Sequence, residues 1–573
     1  CGSNSITTTS GSALALNSTT LNLSASGLSV DTSGGVGVSA TGGVVAINGP
    51  NLVIDTENGV GFSAIDGGTV SLTGTGHTIQ SVSRAAVQIS NTAIGSAGVT
   101  FQSLASTGAN SGIILDGTGS AGGLTVSGNG GVCTPLDPSC TGGTIQSTSG
   151  DGISLTDTTS PSFASMHILS TAGNGVDGTT TTNFAFNNGF IEDSGTAHGA
   201  DAANISFGDF ETGTERNLSG VVSITGNILR SSYFYGIDIL DFDGTISAAD
   251  ISANTISSDA TEVSSMGSGI RLVALGSDSS VANVTRANIA NNTVTDFPGL
   301  FGIVVSGGNA HLDGPAGIVG VANDPTDVVT ITGNQVAGPS ASAGFAASAI
   351  IVNVAGSGQG NFDVSANGTL GNPVGNSTDA AIAIQSAGFA IVTATADGNV
   401  IAAHNDAGAP GIAATTGRIF SSADTPWLAV RIEGNTINET NGNGILVAAH
   451  DATGHLDATI WNNAVAAPLG AGQNGIRIDA GNIDSADDSV CLSISNNSAN
   501  GTTLLDEGIG LYKQGSTTTT NDFGIEGMNA AAASPNVETY VDAQNPQSSV
   551  GGSGRRTILL SATSGFANCA TAP

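Results

Sequence analysis

The stretch Val430–Val447, VRIEGNTINETNGNGILV, is the clearest indication of the fold. Apolar and polar residues alternate up to Ile432, a turn follows at Gly434-Asn435, and a new apolar segment begins at Gly444-Ile445. Alternation with a period of two is typical of strands with one buried face, whereas Gly and Asn are typical of turns. The stretch therefore predicts short strands that are separated by tight corners.

The same pattern, Ile or Val followed three residues later by Asn, recurs along the chain from about residue 221. The recurrent asparagines are Asn227, Asn254, Asn292, Asn334, Asn367, Asn435, Asn463 and Asn497, with Asn399 in a weaker copy. Internal repetition with a period of this size indicates a solenoid whose coils differ mainly in loop length. We expect each asparagine to lie at a corner, because Asn tolerates a left-handed backbone, and to bond to its copies along the axis.

These observations predict an all-β chain that folds as a parallel β-helix. Each short strand would pair with its equivalent one coil away, at about 4.8 Å, and alternate Ile, Val and Leu side chains would fill the interior. The strong preference of parallel connections for one hand predicts a right-handed coil.

The last segment breaks the repeat and predicts a C-terminal cap. Ser534 resembles a helix N-cap with Pro at the first helical position. Val537, Tyr540 and Val541 would share one face of a short helix that ends near Asn545. A cap is expected because an open solenoid end exposes unpaired strand edges. We therefore divide the chain into short Gly-rich coils (1–130), a main β-helix (131–490) and the last coil with its cap (491–573).

The charge of the chain excludes one class of partner. Its 45 acidic against 11 basic residues give a net charge of −34. Nucleic-acid binding requires clustered Lys or Arg to displace counterions, so no nucleic acid is expected as a partner. The acidity is typical of soluble, exported proteins that resist self-association. No cofactor is expected, and Ca²⁺ would bind the acidic surface only adventitiously.

Five cysteines indicate an oxidising compartment. Cys133 and Cys140 bracket a short loop that a disulfide could close, and a disulfide between Cys491 and Cys569 would tie the tail to the last coils. Cys1 is left over as a candidate anchor or junction. It could carry a lipid, which would be the chain's contact with a membrane, or mark the start of a processed or truncated segment.

The repeated I-x-x-N-x-[IV] followed by G-I, together with the tail, resembles bacterial surface and secreted right-handed parallel β-helix proteins of the adhesin or autotransporter-passenger kind. The likeness extends over roughly residues 140–573. It implies export to the outside or the outer surface of a bacterial cell. Because lyases, depolymerases, adhesins and inert fibres share this fold, it implies no reaction.

Two groups of acidic residues could supply the carboxylate pair of a glycosidase. One is Asp238, Asp241 and Asp243, of which Asp238 would face a groove. The other is Asp484, Asp487 and Asp488. Neither group has the basic or histidine companions that such enzymes carry, so both are interpreted as structural.

Basic and aromatic residues are sparse. Lys513, the only lysine, lies in the predicted cap, and Arg271, Arg431 and Arg477 are expected to pair with acids or to face solvent. His450 and His455 bracket one loop and are interpreted as exposed turn residues. Trp427, Trp461 and four tyrosines are too few for an aromatic sugar-binding platform.

The sequence therefore favours a non-enzymatic extracellular rod with a structural or adhesive role. Its expected partners are further copies of itself, assembled head to tail into a surface filament, or a surface glycan or protein ligand. The alternative is a β-helix enzyme, a glycosidase or lyase, that cleaves an extracellular polysaccharide.

Overall fold

The computed structural model describes residues 4–131, 133–134, 140–197, 202–208, 218–258, 267–277, 281–295, 299–312, 328–338, 345–402, 408–417, 424–450, 453–481, 488–501, 508–513, 522–528, 534–548, 557–559 and 569. It is 58% strand and 2% helix. The chain forms two compact units, Cys1–Gly267 and Ser268–Pro573, whose boundary differs from those of the three segments drawn from the sequence.

The strands of the first unit are β1 (Ser5–Thr8), β2 (Leu14–Asn17), β3 (Thr20–Asn22), β4 (Leu28–Thr32), β5 (Val38–Thr41), β6 (Val44–Asn48), β7 (Leu52–Thr56), β8 (Phe62–Ile65), β9 (Thr69–Thr73), β10 (Thr78–Val82), β11 (Val87–Ser90), β12 (Ala93–Phe101), β13 (Ser103–Thr107), β14 (Ile113–Asp116), β15 (Leu124–Val126), β16 (Gly143–Gln146), β17 (Ile153–Thr159), β18 (Ser162–Ala164), β19 (Met166–Thr171), β20 (Val176–Thr182), β21 (Ala185–Asn187), β22 (Phe190–Ser194), β23 (Ala203–Phe207), β24 (Leu218–Thr225), β25 (Ile228–Arg230), β26 (Tyr235–Phe242), β27 (Thr245–Ser252) and β28 (Thr255–Ser257).

The elements of the second unit are β29 (Ser268–Leu275), β30 (Asn283–Val284), β31 (Ala287–Ala290), β32 (Thr293–Thr295), β33 (Phe301–Gly308), β34 (His311–Leu312), β35 (Val329–Thr332), β36 (Gln335–Ala337), β37 (Ile350–Ala355), β38 (Gln359–Ser365), β39 (Ile382–Ala387), β40 (Ile391–Asp397), β41 (Val400–Ile401), β42 (Ile412–Gly417), β43 (Trp427–Glu433), β44 (Thr436–Ile437), β45 (Ile445–Ala449), β46 (His455–Trp461), β47 (Ala464–Val465), β48 (Ile476–Ala480), β49 (Ser489–Ser495), β50 (Ser498–Ala499), β51 (Ile509–Lys513), β52 (Asp522–Ile525), α1 (Ser534–Gln544) and β53 (Thr557–Leu559).

The first unit confirms the parallel β-helix. Each coil supplies three strands, and every third strand pairs in parallel with its equivalent in the next coil, as β1 does with β4, β2 with β5 and β3 with β6. Side chains that point inward stack on their counterparts, for example Val30 on Ile54. Phenylalanines also lie in the core, and the ring centroids of Phe184 and Phe207 lie 4.6 Å apart. The core is therefore a column of in-register apolar side chains.

The second unit has the same construction with longer strands. One of its sheets contains β38, β40, β43, β46, β49 and β52, and we call it the Trp sheet. The inward column of this sheet includes the isoleucines and equivalents of the sequence repeat, which are Val364, Ala396, Ile432, Ile460 and Ile494. All five are buried. The sequence motif and its weaker copy therefore mark the ends of β38, β40, β43, β46 and β49.

The recurrent asparagines are buried and form a hydrogen-bonded ladder. In the second unit the side-chain Nδ2 of Asn435 donates to Oδ1 of Asn463 at 2.9 Å, and Asn463 donates in the same way to Asn497 at 2.9 Å. Each Nδ2 also donates to a strand carbonyl, as Asn463 does to Ile432. Equivalent bonds join Asn292 to Asn334, Asn334 to Asn367, Asn367 to Asn399 and Asn399 to Asn435. In the first unit Asn227 donates to Asn254 at 3.0 Å.

The C-terminal cap contains the predicted short helix. Helix α1 buries Val537 and Val541, while Tyr540 is partly buried and its hydroxyl donates to the carbonyl oxygen of Glu526 at 3.0 Å. After the helix, β53 pairs in parallel with β51. Among the described residues no helix has the length and apolar character needed to cross a membrane.

Candidate functional site

Four of the cysteines singled out in the sequence are bonded in two pairs. Cys133 joins Cys140, and Cys491 joins Cys569. The first pair is buried against Phe190 and, in part, Ile228. Two disulfides indicate a non-reducing environment. Cys1 lies outside the described residues.

In the first acidic group, two of the three carboxylates are buried and do not line a groove. Asp238 was expected to face outward but is fully buried, because both faces of β26 are covered. Asp241 is also fully buried, and neither carboxylate oxygen accepts a well-formed hydrogen bond. Burial raises the pKa of Asp241, the backbone amides of Leu218 and Gly244 oppose the shift, and the charge of Asp243 adds to it, so that the resulting pKa is about 7.

The second acidic group is only partly within the described residues. Asp484 and Asp487 lie outside them. Asp488 is buried, and its Oδ1 accepts a hydrogen bond from the backbone N–H of Gly454 at 3.0 Å. It therefore supports the corner between two neighbouring coils.

The side chains of Arg431 and Arg477 have carboxylate partners. A guanidinium nitrogen of Arg431 lies 2.7 Å from Glu433, and Nε of Arg477 lies 2.8 Å from Asp479. Arg271 lies on β29. Lys513 is buried at the end of β51, and desolvation lowers its pKa while Asp522 opposes that shift. Within the described ranges, no group of three or more His, Cys, Asp or Glu side chains is arranged to hold a metal ion.

The outward face of the Trp sheet brings together polar and aromatic residues that are far apart in sequence. Strands β43, β46 and β49 pair over their whole length, which places Trp427 beside His455 and His455 beside Ser489. Inward residues of these strands are buried, so the alternate positions project outward. We call Trp427, His455, Asp457 and Ser489 the histidine cluster.

Hydrogen bonds fix the geometry of the histidine cluster. His455 Nε2 lies 3.1 Å from Oδ1 of Asp457, and His455 Nδ1 lies 2.6 Å from Oγ of Ser489. Trp427 Nε1 donates to Oδ2 of Asp457 at 3.3 Å, and its ring meets the imidazole edge to face with centroids 5.4 Å apart. Both carboxylate oxygens of Asp457 therefore hold an aromatic ring in place.

The protonation of His455 depends on Asp457. The hydrogen bond to Asp457 raises the pKa of His455, burial opposes the shift, and the negative charge of Asp457 adds to it. When the imidazole is neutral, the carboxylate requires the proton on Nε2, and Nδ1 then accepts from the Ser489 hydroxyl. When it is protonated, both nitrogens donate.

A second group of aromatic and acidic side chains lies at the opposite ends of β43 and β46. Trp461 is 43% exposed and is paired in register with Glu433 on one side and Ser495 on the other. Glu433 is held by Arg431 and lies beside Asp397. Burial raises the pKa of Asp397, and the charges of Glu433 and Asp363 raise it further against the opposing effect of Arg431. This end of the surface is therefore aromatic and negatively charged.

The histidine cluster shares the Ser–His–Asp connectivity of many hydrolases, in which an acid orients the base that activates a nucleophile. The local strand amides are nevertheless engaged. The N–H of Ser489 donates to Gly454, that of His455 to Pro426 and that of Asp522 to Asp488. These amides do not offer the donors that would stabilise an oxyanion.

The structure corrects the interpretation of one histidine. His455 is not a turn residue but the first residue of β46, with its side chain 44% exposed. His450 does follow a strand, and its Nε2 lies 4.0 Å from Asp479. The sequence does contain a signal for the cluster, because Trp427, His455 and Ser489 each precede a ladder asparagine by eight residues. Alignment of the coils on those asparagines would have shown the contact.

No family model matches the chain, and it matches neither a curated protein nor a solved structure.

Proposed function

We propose that the chain is an extracellular structural and adhesive β-helix protein of a bacterial surface, with a non-enzymatic role. The observation that supports this most strongly is the asparagine ladder of the second unit, which runs from Asn292 into the cap. Its amides are buried and directed at one another and at strand carbonyls. Buried amide side chains that satisfy one another stabilise a single register of the coils and are not available for chemistry.

Two further features agree with exposure to the outside of a cell. The disulfides suit a non-reducing environment, and the net charge of −34 favours solubility. The outward face of the Trp sheet supplies a rigid surface, because its side chains project from strands that are paired on both sides. Such a surface suits a glycan or protein ligand, and a coil edge suits another copy of the chain.

The test uses the disulfide-intact protein. We expect it to adhere to cells or to glycan-coated surfaces, or to form filaments visible by electron microscopy, without changing the chain length of added polysaccharides. If this protein neither adheres to any of these surfaces nor forms filaments, the structural and adhesive role is refuted. Release of oligosaccharides by the purified protein would support the glycan-cleaving alternative.

A second candidate function is hydrolysis of acyl esters, since Ser489, His455 and Asp457 are hydrogen-bonded in series. Ser489 Oγ would attack the ester carbonyl, His455 would take its proton and return it to the leaving alcohol, and water would release the acid. A fluorophosphonate probe tests this directly. Labelling that disappears in Ser489→Ala would favour the hydrolase, whereas equal labelling of both proteins would exclude Ser489 as a nucleophile.

A further inference from the structure

The two tryptophans of the chain lie on adjacent strands of one outward face, although the sequence suggested that they are too few for a binding platform. Trp427 begins β43 and Trp461 ends β46, and these strands pair without a break. Trp461 is six residues beyond the partner of Trp427. At about 3.3 Å per residue the two rings are separated by about 20 Å along the strands.

The residues between the two rings leave the surface low and polar. Outward positions of β43 and β46 between them carry Ala429, Asp457, Arg431 and Thr459. Ala and Thr are short, so a flat molecule can lie across them. Asp457 and Arg431 supply an acceptor and donors of hydrogen bonds at intervals along the strip. We call this set, with Trp427, Trp461, His455 and Glu433, the tryptophan strip.

Two acidic side chains of the tryptophan strip each lie beside a basic one. His455 lies 3.1 Å from Asp457, and Arg431 lies 2.7 Å from Glu433. Asp397 is paired in register with Glu433 and adds negative charge at this end of the strip. Burial raises the pKa of Asp397, and the charges of Glu433 and Asp363 raise it further. An acidic ligand would be repelled by these carboxylates and by the net charge of the chain. An uncharged ligand that exchanges hydrogen bonds with the paired groups would not be.

We propose that the tryptophan strip binds an uncharged β-linked oligosaccharide, extended along β43 and β46. Pyranose rings present flat C–H faces that pack on an indole, as apolar groups do on aromatic side chains, and their hydroxyls match the donors and acceptors of Arg431, Asp457 and Glu433. The exposed ring of Trp461 anchors one end. Trp427, held by Asp457, anchors the other end. This inference rests on the proposed adhesive function and names its ligand class.

Titration calorimetry with cellohexaose, chitohexaose and oligogalacturonate tests the proposal on the disulfide-intact chain. We expect one of the two uncharged probes to bind and the acidic probe not to bind. Trp461→Ala should weaken the binding about tenfold, as loss of an aromatic contact of about 1.4 kcal/mol would do. Trp427→Phe should weaken it less, because it keeps a ring and loses the bond to Asp457.

Leu370→Ala is the matched control, because Leu370 is also exposed, at 83%, but lies off the strip. The Leu370→Ala variant should bind the oligosaccharide with the affinity of the unchanged protein. All three variants should unfold at the same temperature as the unchanged protein. Equal affinity of Trp461→Ala and the unchanged protein, binding of neither uncharged probe, or preference for oligogalacturonate would overturn the inference. Adhesion to cells that persists without oligosaccharide binding would leave the adhesive function standing and remove only this ligand class.

Discussion

Asn497 donates a hydrogen bond from Nδ2 to Oδ1 of Asn545 at 2.9 Å, and its backbone N–H reaches the same oxygen at 3.0 Å. This is the bond pattern that each ladder asparagine makes to the next coil, yet Asn545 belongs to no coil and follows helix α1. Ser548 extends the match, because its hydroxyl accepts from the N–H of Ala499 and donates to the carbonyl of Asn497. The cap therefore closes the solenoid by imitating one more corner of it.

Asn545→Ala should loosen the cap. The backbone N–H and the side-chain Nδ2 of Asn497 would both lose Oδ1 of Asn545 as their acceptor. A buried N–H group without an acceptor costs about 1–3 kcal/mol. Denaturant unfolding should show a lower midpoint, and hydrogen exchange should show faster exchange in α1 and at Asn497. Asn372→Ala is the control, because the Asn372 side chain is exposed. An unchanged exchange rate in α1 would show that the cap does not depend on this rung.

Asn435→Ala removes a rung from the middle of the ladder. It deletes the bond to Asn463 and the acceptor used by Asn399, whose Nδ2 lies 3.0 Å from Asn435 Oδ1. We expect a loss of about 2 kcal/mol or more, since several buried polar groups lose partners at once. Asn435→Asp should also destabilise, because a carboxylate cannot donate to Asn463. Stability equal to that of the unchanged protein in either variant would argue that the ladder is not stabilising.

Cys569→Ser should destabilise the last coils more than Cys140→Ser destabilises its own loop. The Cys491–Cys569 pair closes 78 residues of sequence separation, whereas the Cys133–Cys140 pair closes 7. On the chain-entropy estimate the longer loop contributes about 4 kcal/mol and the shorter about 2 kcal/mol. Limited proteolysis before and after mild reduction measures the effect. Cleavage within the cap that does not increase after reduction would contradict it.

An NMR titration should show two histidine pKa values that are shifted in opposite directions from the ordinary value. Asp457 raises the pKa of His455 above 6.5, whereas burial lowers the pKa of His77 below 6.5. Because the folded-state pKa of His455 is raised, its contribution to stability is complete below pH 6.5 and is lost as the pH rises through that pKa. The substitution Asp457→Asn should lower the pKa of His455 and leave the pKa of His77 unchanged. A His455 pKa that is the same in both proteins would show that Asp457 does not set it.

Because the pKa of buried Asp241 is raised, we expect the folded chain to be less stable at alkaline than at mildly acidic pH. Its pKa is about 7 in the folded chain against 3.8 as the ordinary value, so the folded state holds more protons between these pH values and stability falls as the pH rises through them. Asp241→Asn keeps the size and removes the charge. The variant should lose less of its unfolding temperature than the unchanged protein between pH 5 and pH 8. Equal losses would mean that Asp241 ionises without cost.

The architecture could be predicted from the residues alone, because the chemistry that builds a coil is local. Alternation in a stretch such as Val430–Ile432 selects a strand, and Asn435 selects a corner. Repetition of both makes stacking the way to bury the apolar side chains. The cap helix could be predicted for the same reason, because Ser534 and Pro535 are neighbouring residues that favour the start of a helix.

The contacts between residues that are distant in sequence could not be predicted in this way, because they depend on how the coils stack. Trp427, His455 and Ser489 come together because coils of unequal length bring each strand into the same register, and Asn545 becomes a rung because α1 delivers it there. Asp238 was placed outward by alternation, but neighbouring segments cover that face of β26. Strand periodicity states which way a side chain points along its own strand. What lies opposite it depends on loops and packing far away in the chain.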